Sequence, residues 1–193
     1  MLKIIAGKYK NRLIPTLEKA KYRPSTGKFR EALFSILSSG EFIDYKLFAN
    51  NINVLDLFSG SGSLAFEALS RGVGTITLID ANLECLRVAK EFAKTLGEVD
   101  KAYFVNINAL ILPKANKVFD LVFIDPPYYN NIVPKVMKEL IKNNWLKNGS
   151  IIVIEMSKTD NYILDKDVEI LKDKVYGKSR LLALKYSCEM KNG

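Results

Sequence analysis

The chain has 193 residues, 29 of them Lys or Arg and 21 Asp or Glu, with no histidine and two cysteines, for a formal charge of +8. The absence of histidine removes Ser-His-Asp triads, histidine general bases and most zinc sites, and the isolated Cys85 and Cys188 indicate neither a disulfide framework nor a metal knuckle. No apolar run is long enough for a membrane span and the lysine-rich start lacks a signal-peptide core, so the expectation is a soluble cytoplasmic protein: one domain with ample core and a short appendage.

Residues 1–30 hold nine cations (Lys3, Lys8, Lys10, Arg12, Lys19, Lys21, Arg23, Lys28 and Arg30) against one acid, Glu18. They carry the whole net charge, because residues 31–193 sum to zero. A segment so polarised is an electrostatic footprint for a polyanion, unless it is only a solvated arm that keeps the protein soluble. A short hairpin is expected around Leu2–Leu17. A helix follows from about Thr26, with Phe29, Leu33, Ile36 and Leu37 at helical spacing. The expected boundary falls near Asn50-Asn51, giving a basic arm and helix over 1–50 and the main domain over 51–193.

Val54-Leu55-Asp56-Leu57-Phe58 reads as the first core strand, followed by Ser59-Gly60-Ser61-Gly62-Ser63-Leu64-Ala65 and a helix to about Arg71. Gly60 and Gly62 permit a tight turn with close backbone approach to a ligand, and Ala65 takes the small-residue place of a third glycine. Asp80 lies 20 residues after Gly60 and ends the next strand, Thr75–Ile79. There it can accept the hydroxyls of a ribose, so the pair reads as a nucleoside-cofactor site. A helix over Asn82–Leu96 and a strand over Ala102–Val105 follow, then Asn108-Ala109.

The run Leu121-Val122-Phe123-Ile124 is apolar and partly β-branched, as in a buried parallel strand. Asp125-Pro126-Pro127-Tyr128 ends it, since two prolines cannot continue a central strand. Ligands of open α/β sheets sit at the carboxyl ends of the strands. This turn therefore offers a carboxylate, a proline carbonyl and an aromatic ring to hold a planar base by its exocyclic amine. A nicotinamide dinucleotide would leave those groups idle. Asp56, at the start of the glycine turn, suits a cofactor with a positively charged amino group, and a carboxylate inside a buried strand requires a partner. S-adenosylmethionine has that amine, a sulfonium and a ribose. The rest of the chain reads as a helix over Val133–Asn143, an Asn148-Gly149 turn, and strands at Ile151–Glu155, Glu169–Val175 and Leu181–Tyr186. The last two have only a short turn at Gly177 between them, so they should form an antiparallel hairpin.

The glycine turn and the Asp-Pro-Pro-Tyr turn together resemble the class I methyltransferases that act on amino groups. Three further runs narrow this: Ile4-Ile5-Ala6-Gly7-Lys8-Tyr9-Lys10-Asn11-Arg12, Arg23-Pro24-Ser25-Thr26 and Arg30-Glu31-Ala32-Leu33-Phe34. With Glu67-Ala68-Leu69-Ser70-Arg71-Gly72 and Tyr176-Gly177-Lys178-Ser179, they resemble the RsmD family over nearly the whole chain and in order. One departure is Gly27, where the family often has Asp, which loses an acid near a helix start. The resemblance implies a doubly wound, Rossmann-like α/β methyltransferase sheet, mostly parallel with a C-terminal antiparallel hairpin and a basic N-terminal extension. It implies methyl transfer from S-adenosylmethionine to the N2 amine of a guanine in 16S ribosomal RNA, within an assembled or partly assembled small subunit, by a monomer with no metal.

The residues implied for catalysis are Asp125, Pro126 and Tyr128. Those implied for the cofactor are Asp56, Phe58, Gly60, Ser61, Gly62, Asp80, Asn108 and Ala109. Lys8, Lys10, Arg12, Arg23, Lys28 and Arg30 are the cations implied for RNA. Phe58 reads equally as a core residue, Asn108 as an ordinary loop residue, and Glu155 as a solvated strand end or a family acid. Rival readings are a DNA adenine-N6 methyltransferase, a protein-glutamine methylase, which would favour Asn at position 125, and a nucleic-acid-binding module without catalysis. Only 65 residues follow Tyr128, and the strands and helices there leave little room for a separate DNA-reading domain.

Overall fold

Five short apolar strands alternate along the chain with amphipathic helices, a pattern that builds a parallel sheet covered on both faces. The computed structural model describes residues 2–17, 27–40, 47–127, 132–160, 162 and 165–188. In chain order its elements are α1 (Gly27–Ser38), β1 (Asn53–Leu57), α2 (Ser63–Ser70), β2 (Thr75–Ile79), α3 (Leu83–Leu96), β3 (Ala102–Val105), β4 (Phe119–Ile124), α4 (Ile132–Lys142), β5 (Leu146–Ser157), β6 (Val168–Tyr176) and β7 (Ser179–Tyr186). The sheet order is β3-β2-β1-β4-β5-β7-β6. The first five strands in that order are parallel, and β7 runs antiparallel to both β5 and β6. The doubly wound sheet and its C-terminal hairpin are thus as the sequence implies. The strand order reverses between β1 and β4, which places the crevice for a ligand at their carboxyl ends.

Alternate residues of the central strands feed two cores. Val54, Leu121, Ile151 and Val153 face α1, α2 and α3, while Leu55, Val122, Ile152 and Ile154 face α4. Helix α4 meets its core with Val133, Val136, Met137 and Leu140, one stripe at three- and four-residue spacing. Helix α3 is capped by Asn82, whose Oδ1 accepts the backbone N–H groups of Glu84 (3.0 Å) and Cys85 (3.4 Å), so Asn82 precedes the helix and does not begin it. Strand β5 starts five residues earlier than the sequence suggests. Asn148-Gly149, read as a turn, is a kink inside the strand, with Gly149 at φ +85° and a register shift opposite Phe119–Leu121. The buried Ser150 stitches this bulge, donating to the Phe119 carbonyl (2.7 Å) and accepting from the Lys147 N–H (2.9 Å). No helix among the described residues is long and apolar enough to cross a membrane.

Helix α2 has all eight residues buried, including Ser63, Glu67 and Ser70, which demands a cover on the side away from the sheet. The N-terminal hairpin supplies it. Its limbs meet at an antiparallel bridge between Lys3 and Leu13, and Ile4 and Ile14 join the core. The Glu67 carboxylate accepts the backbone N–H groups of Ile5 (2.6 Å) and Ala6 (3.0 Å) and the Arg71 Nε (2.8 Å). Arg30 lies 3.6 Å from the same carboxylate and donates to the Lys3 carbonyl at 2.6 Å. One turn on, Ser70 donates to the Ala6 carbonyl (2.6 Å), and its own carbonyl accepts the Lys8 N–H (2.7 Å). Gly7 sits at φ +83°, and a Cβ there would fall 1.9 Å from the Ser70 carbonyl oxygen, so only glycine fits.

Glu67 and Arg30 are 0% and 1% exposed, so removing one partner strands the other as a buried charge. Glu67→Ala should therefore cost about 3–5 kcal/mol of unfolding free energy. Urea denaturation should show the midpoint falling accordingly; a loss below about 0.5 kcal/mol, the usual scale of a surface substitution, would mean that the arm docks without this clamp.

Candidate functional site

The strand register sets one row of residues across the carboxyl edge of the sheet. The pairs Ile79–Val105, Leu57–Ile79, Leu57–Ile124 and Ile124–Ile154 place Asn106, Asp80, Phe58, Asp125 and Glu155 side by side, the first four just beyond their strands and Glu155 still within β5. The row forms the floor of the crevice at the switch point.

The glycine turn rises from Phe58. Phe58 (φ 59°), Gly60 (φ 52°) and Gly62 (φ 75°) all take left-handed backbone, which for Phe58 costs on the order of 1–3 kcal/mol. Its neighbours hold it there: Ser59 N–H bonds the Ile79 carbonyl (3.1 Å), and Gly62 N–H bonds the Ser59 carbonyl (2.7 Å). Gly62 is favoured by its left-handed backbone, and a Cβ there would also press on the Leu78 and Phe66 side chains at 2.5 and 2.9 Å. Ser59 and Ser61 are buried in the turn, and the Ser59 hydroxyl has no protein partner among the described residues.

Both acids singled out for a cofactor also brace this turn. Asp80 is half-buried; its Oδ2 accepts the Gly60 N–H and its Oδ1 the Asn82 N–H, each at 2.7 Å. Asp56 is 2% exposed, and its Oδ2 accepts the Ala65 N–H at 3.1 Å, in the first turn of α2. Burial pushes the Asp56 carboxyl well above its ordinary value; the Ala65 N–H opposes this, and the negative charges of Asp125 and Asp80 add to it. Asp56, Asp80 and Asp125 thus form an electrostatically coupled acidic cluster at the carboxyl edge. Such a cluster fits a cationic ligand, and the unpartnered Ser59 hydroxyl leaves a polar group for it. Among the described residues no group of three or more His, Cys, Asp or Glu is placed to hold a metal ion.

The Asp-Pro-Pro turn follows β4. Asp125 is half-buried, Pro126 buried and Pro127 exposed. Tyr128 lies outside the described residues. Glu155, next in the row, is 4% exposed and accepts the Ser179 hydroxyl at 2.9 Å, so it is no solvated strand end. Asn108 is exposed and forms its own turn, its Oδ1 accepting the Leu110 N–H at 2.9 Å, while Ala109 packs into the core on the α4 side.

The basic residues separate into distinct places. Helix α2 runs from the glycine turn back to the amino ends of the strands, and the arm tip docks at its far end. Lys8, Lys10 and Arg12 are exposed but lie at the opposite edge of the sheet from Asp125, about 12 Å away along α2 alone. Lys8 pairs with Glu98 (2.9 Å), and Arg12 donates to the Thr95 carbonyl (3.3 Å). Lys28 is exposed at the start of α1, where Phe29 packs edge-on against Tyr176 with centroids 6.0 Å apart. Lys28 therefore lies toward the carboxyl edge. Arg30, read as an RNA contact, is instead buried: burial lowers its pKa, Glu67 opposes that, and its guanidinium serves the arm clamp. Arg23 lies outside the described residues.

Three residues that the sequence reading passed over hold this arrangement. Asn106 donates to the carbonyls of Asp80 (2.9 Å) and Ala81 (3.0 Å), fixing the end of β2. Glu98 accepts from Tyr9, Lys8 and Lys101. Burial would raise its carboxyl, yet those hydrogen bonds outweigh burial and hold it at about 2. Glu67 was legible as a lone charge in an otherwise apolar helix, four residues before Arg71.

The family model described as Conserved hypothetical protein 95 matches residues 2–185. The methylase RP545 of Rickettsia prowazekii is 53% identical, with 99% of this chain and 100% of that protein aligned. Ribosomal RNA small subunit methyltransferase D of Haemophilus influenzae is 31% identical over 91% of this chain and 89% of its own. The solved structure of yhhF from Escherichia coli superposes with a TM-score of 0.82 at 26% identity, covering 97% of this chain and 99% of that one. With its sheet order, glycine turn and Asp-Pro-Pro turn placed at one edge, the chain belongs to the RsmD family of methyltransferases.

Proposed function

We propose that the protein transfers a methyl group from S-adenosylmethionine to the exocyclic N2 amine of a guanine in 16S ribosomal RNA. One observation carries the reading: Asp125 and Pro126 stand on the strand beside the glycine turn, so an amine held by one adjoins a cation held by the other. The name of the Haemophilus influenzae relative supports the ribosomal substrate. A substrate in the ribosome puts the enzyme in the cytoplasm, acting on an assembled or partly assembled small subunit.

S-adenosylmethionine, when bound, supplies an electrophilic methyl on a sulfonium. Asp56 and the turn Gly60-Ser61-Gly62 hold its amino-acid end, Asp80 its ribose, and Phe58 with Asn108 and Ala109 the adenine side. The guanine amine is a poor nucleophile because its lone pair is delocalised into the ring. The Asp125 carboxylate and the Pro126 carbonyl accept its two N–H bonds, favour a pyramidal nitrogen and aim the lone pair at the methyl. Tyr128 stacks on the base, a contact worth about 1–3 kcal/mol. Asp125 takes the proton shed from the methylated nitrogen. Charge is quenched in the step, so positioning accounts for most of the rate, with roughly 7–11 kcal/mol available from orientation. The base must leave its stack to enter, which favours a loop or unpaired nucleotide. Residues 1–50 act as the RNA-contacting extension of the catalytic domain over 51–193. Lys28 meets RNA near the target base, Arg23 is a further RNA contact, and Lys8, Lys10 and Arg12 meet phosphates at the far edge.

The two acids at the mouth of the crevice should separate by role. Asp125→Ala is expected to abolish methyl transfer and leave cofactor affinity nearly intact, whereas Asp80→Ala should weaken cofactor binding through lost charge-assisted bonds. Equal loss of affinity in titration calorimetry of both variants would refute this division.

Asp56 makes a pH prediction. Its carboxyl is held high in the free protein, and a bound ammonium draws it back down. Binding should release a proton, and affinity should rise as pH rises through the free-state value. Calorimetry in buffers of different ionisation heat measures the proton count; uptake in place of release would contradict the role.

The product decides the substrate. Nucleoside mass spectrometry of a deletion strain should show one N2-methylguanosine missing from 16S ribosomal RNA. An intact inventory, with N6-methyladenine lost from DNA, would make the DNA reading the right one.

A further inference from the structure

The zero net charge of residues 31–193 conceals a local excess. Beyond Glu155, β5 runs on to Ser157 and turns at Lys158; beyond Tyr176, β6 turns through Gly177-Lys178 into β7 at Ser179. Ser157 pairs with Ser179 across the sheet, and Lys158 N–H donates to the Lys178 carbonyl at 3.0 Å, so the two turns form one unit. A hydrogen bond from Ser179 to Glu155 ties that unit to the residue beside Asp125 in the floor row. Three residues of extended chain separate Lys158 from the level of Glu155, so the unit stands about 10 Å above the floor, one to two strand spacings (about 5–10 Å) from β4.

Four cations lie here, at or above the level of the floor: Lys158, Lys174, Lys178 and Arg180. Three acids oppose them, and one of these is Glu155 in the floor row, which accepts the Ser179 hydroxyl. Asp173 is spent on Arg180 (2.8 and 2.5 Å), and Asp160 accepts the Ser157 N–H at 3.3 Å. Lys158 and Lys178 are exposed, and neither forms an ion pair among the described residues. A guanine whose amine reaches Asp125 leaves its sugar and phosphates above the floor, level with this wall.

We propose that Lys158 and Lys178 form a phosphate-binding rim that grips the RNA backbone next to the flipped nucleotide, on the β5–β7 side of the crevice. The rim rests on the ribosomal-RNA reading above and adds to it the contact nearest the reacting base. The arm tip cannot make that contact, because it lies at the other edge of the sheet.

The test uses small ribosomal subunits from a strain deleted for the gene, a labelled methyl donor, and salt varied from about 0.05 to 0.2 M. For Lys158→Ala/Lys178→Ala, KM for subunits should rise roughly tenfold near 0.15 M salt, and the log–log salt slope should shrink by about 1.4–1.8, two contacts at about 0.7–0.9 each. The kcat value should stay within about twofold, with cofactor affinity and thermal midpoint unchanged, because a rim contact acts on RNA binding alone. Lys158→Arg/Lys178→Arg should keep both KM and slope. An unchanged KM and slope in the Ala variant, beside an active wild type, overturns the rim. So does a matching loss of activity and stability in both variants, which would make the turns structural. A wild type inactive on subunits removes the substrate reading and the rim with it, and the wild-type rate alone tells these failures apart.

Discussion

A carboxylate with no exposure to water is tolerable only if protein groups replace its hydration, because burying an ion costs several kcal/mol even after relaxation. Glu67 meets that condition with two backbone N–H groups from the arm and two guanidinium groups, Arg71 and Arg30. None of these donors can leave without exposing a cost on the others. Because Glu67 sits one turn into a helix that starts at the glycine turn, the same carboxylate fixes the arm, the entry of α1 and the direction of α2. Arg71 extends the tie, lying 4.7 Å over the Phe34 ring of α1. The site therefore inherits its rigidity from an interaction made on the far side of a helix.

At the other end of α2 the electrostatics are reversed in purpose. Asp56, Asp80 and Asp125 are brought within reach of one another by strand register, and the charges of the other two add to the effect of burial in raising the Asp56 carboxyl. In the proposed reaction a cationic methyl donor gains from Asp56 and Asp80, and its sulfonium charge disappears as the methyl moves. On that proposal Asp56 and Asp80 favour the reactant cation more than the neutral product. Under the same proposal the cations for the acceptor, Lys158 and Lys178 among them, lie around the rim and not on the floor, so the two ligands would meet surfaces of opposite sign.

Much of this was legible in the sequence because it rests on local rules. Alternating apolar strands and helices gave the doubly wound sheet, the Gly177 turn gave the hairpin, and the Asp-Pro-Pro run marked the end of a buried strand. What was hidden depends on long-range placement. Arg30 counts as a surface cation in any composition, yet its burial is decided by Glu67, 37 positions later. Lys8, Lys10 and Arg12 are basic and exposed, but only the direction of α2 shows that they lie away from the crevice. Asn148-Gly149 has the composition of a turn and becomes a bulge because Ser150 bonds across to β4. Asn108 makes a local turn, while Asn106, two residues earlier, braces Asp80 through carbonyls 25 and 26 positions away.

The docking of the arm also sets an order of events during synthesis. Its bonds to Glu67 span 61 and 62 residues, and the bonds of Lys8 and Tyr9 to Glu98 span 90 and 89. At about 5–20 residues per second, the hairpin waits roughly 5–20 s between its own emergence and that of its last partner. Closing loops of that length carries an entropy cost that local structure cannot repay. The amino terminus is thus the first part of the chain to be made and among the last to be fixed, and the charged buried pair Arg30–Glu67 forms only when α2 is already in place to receive it.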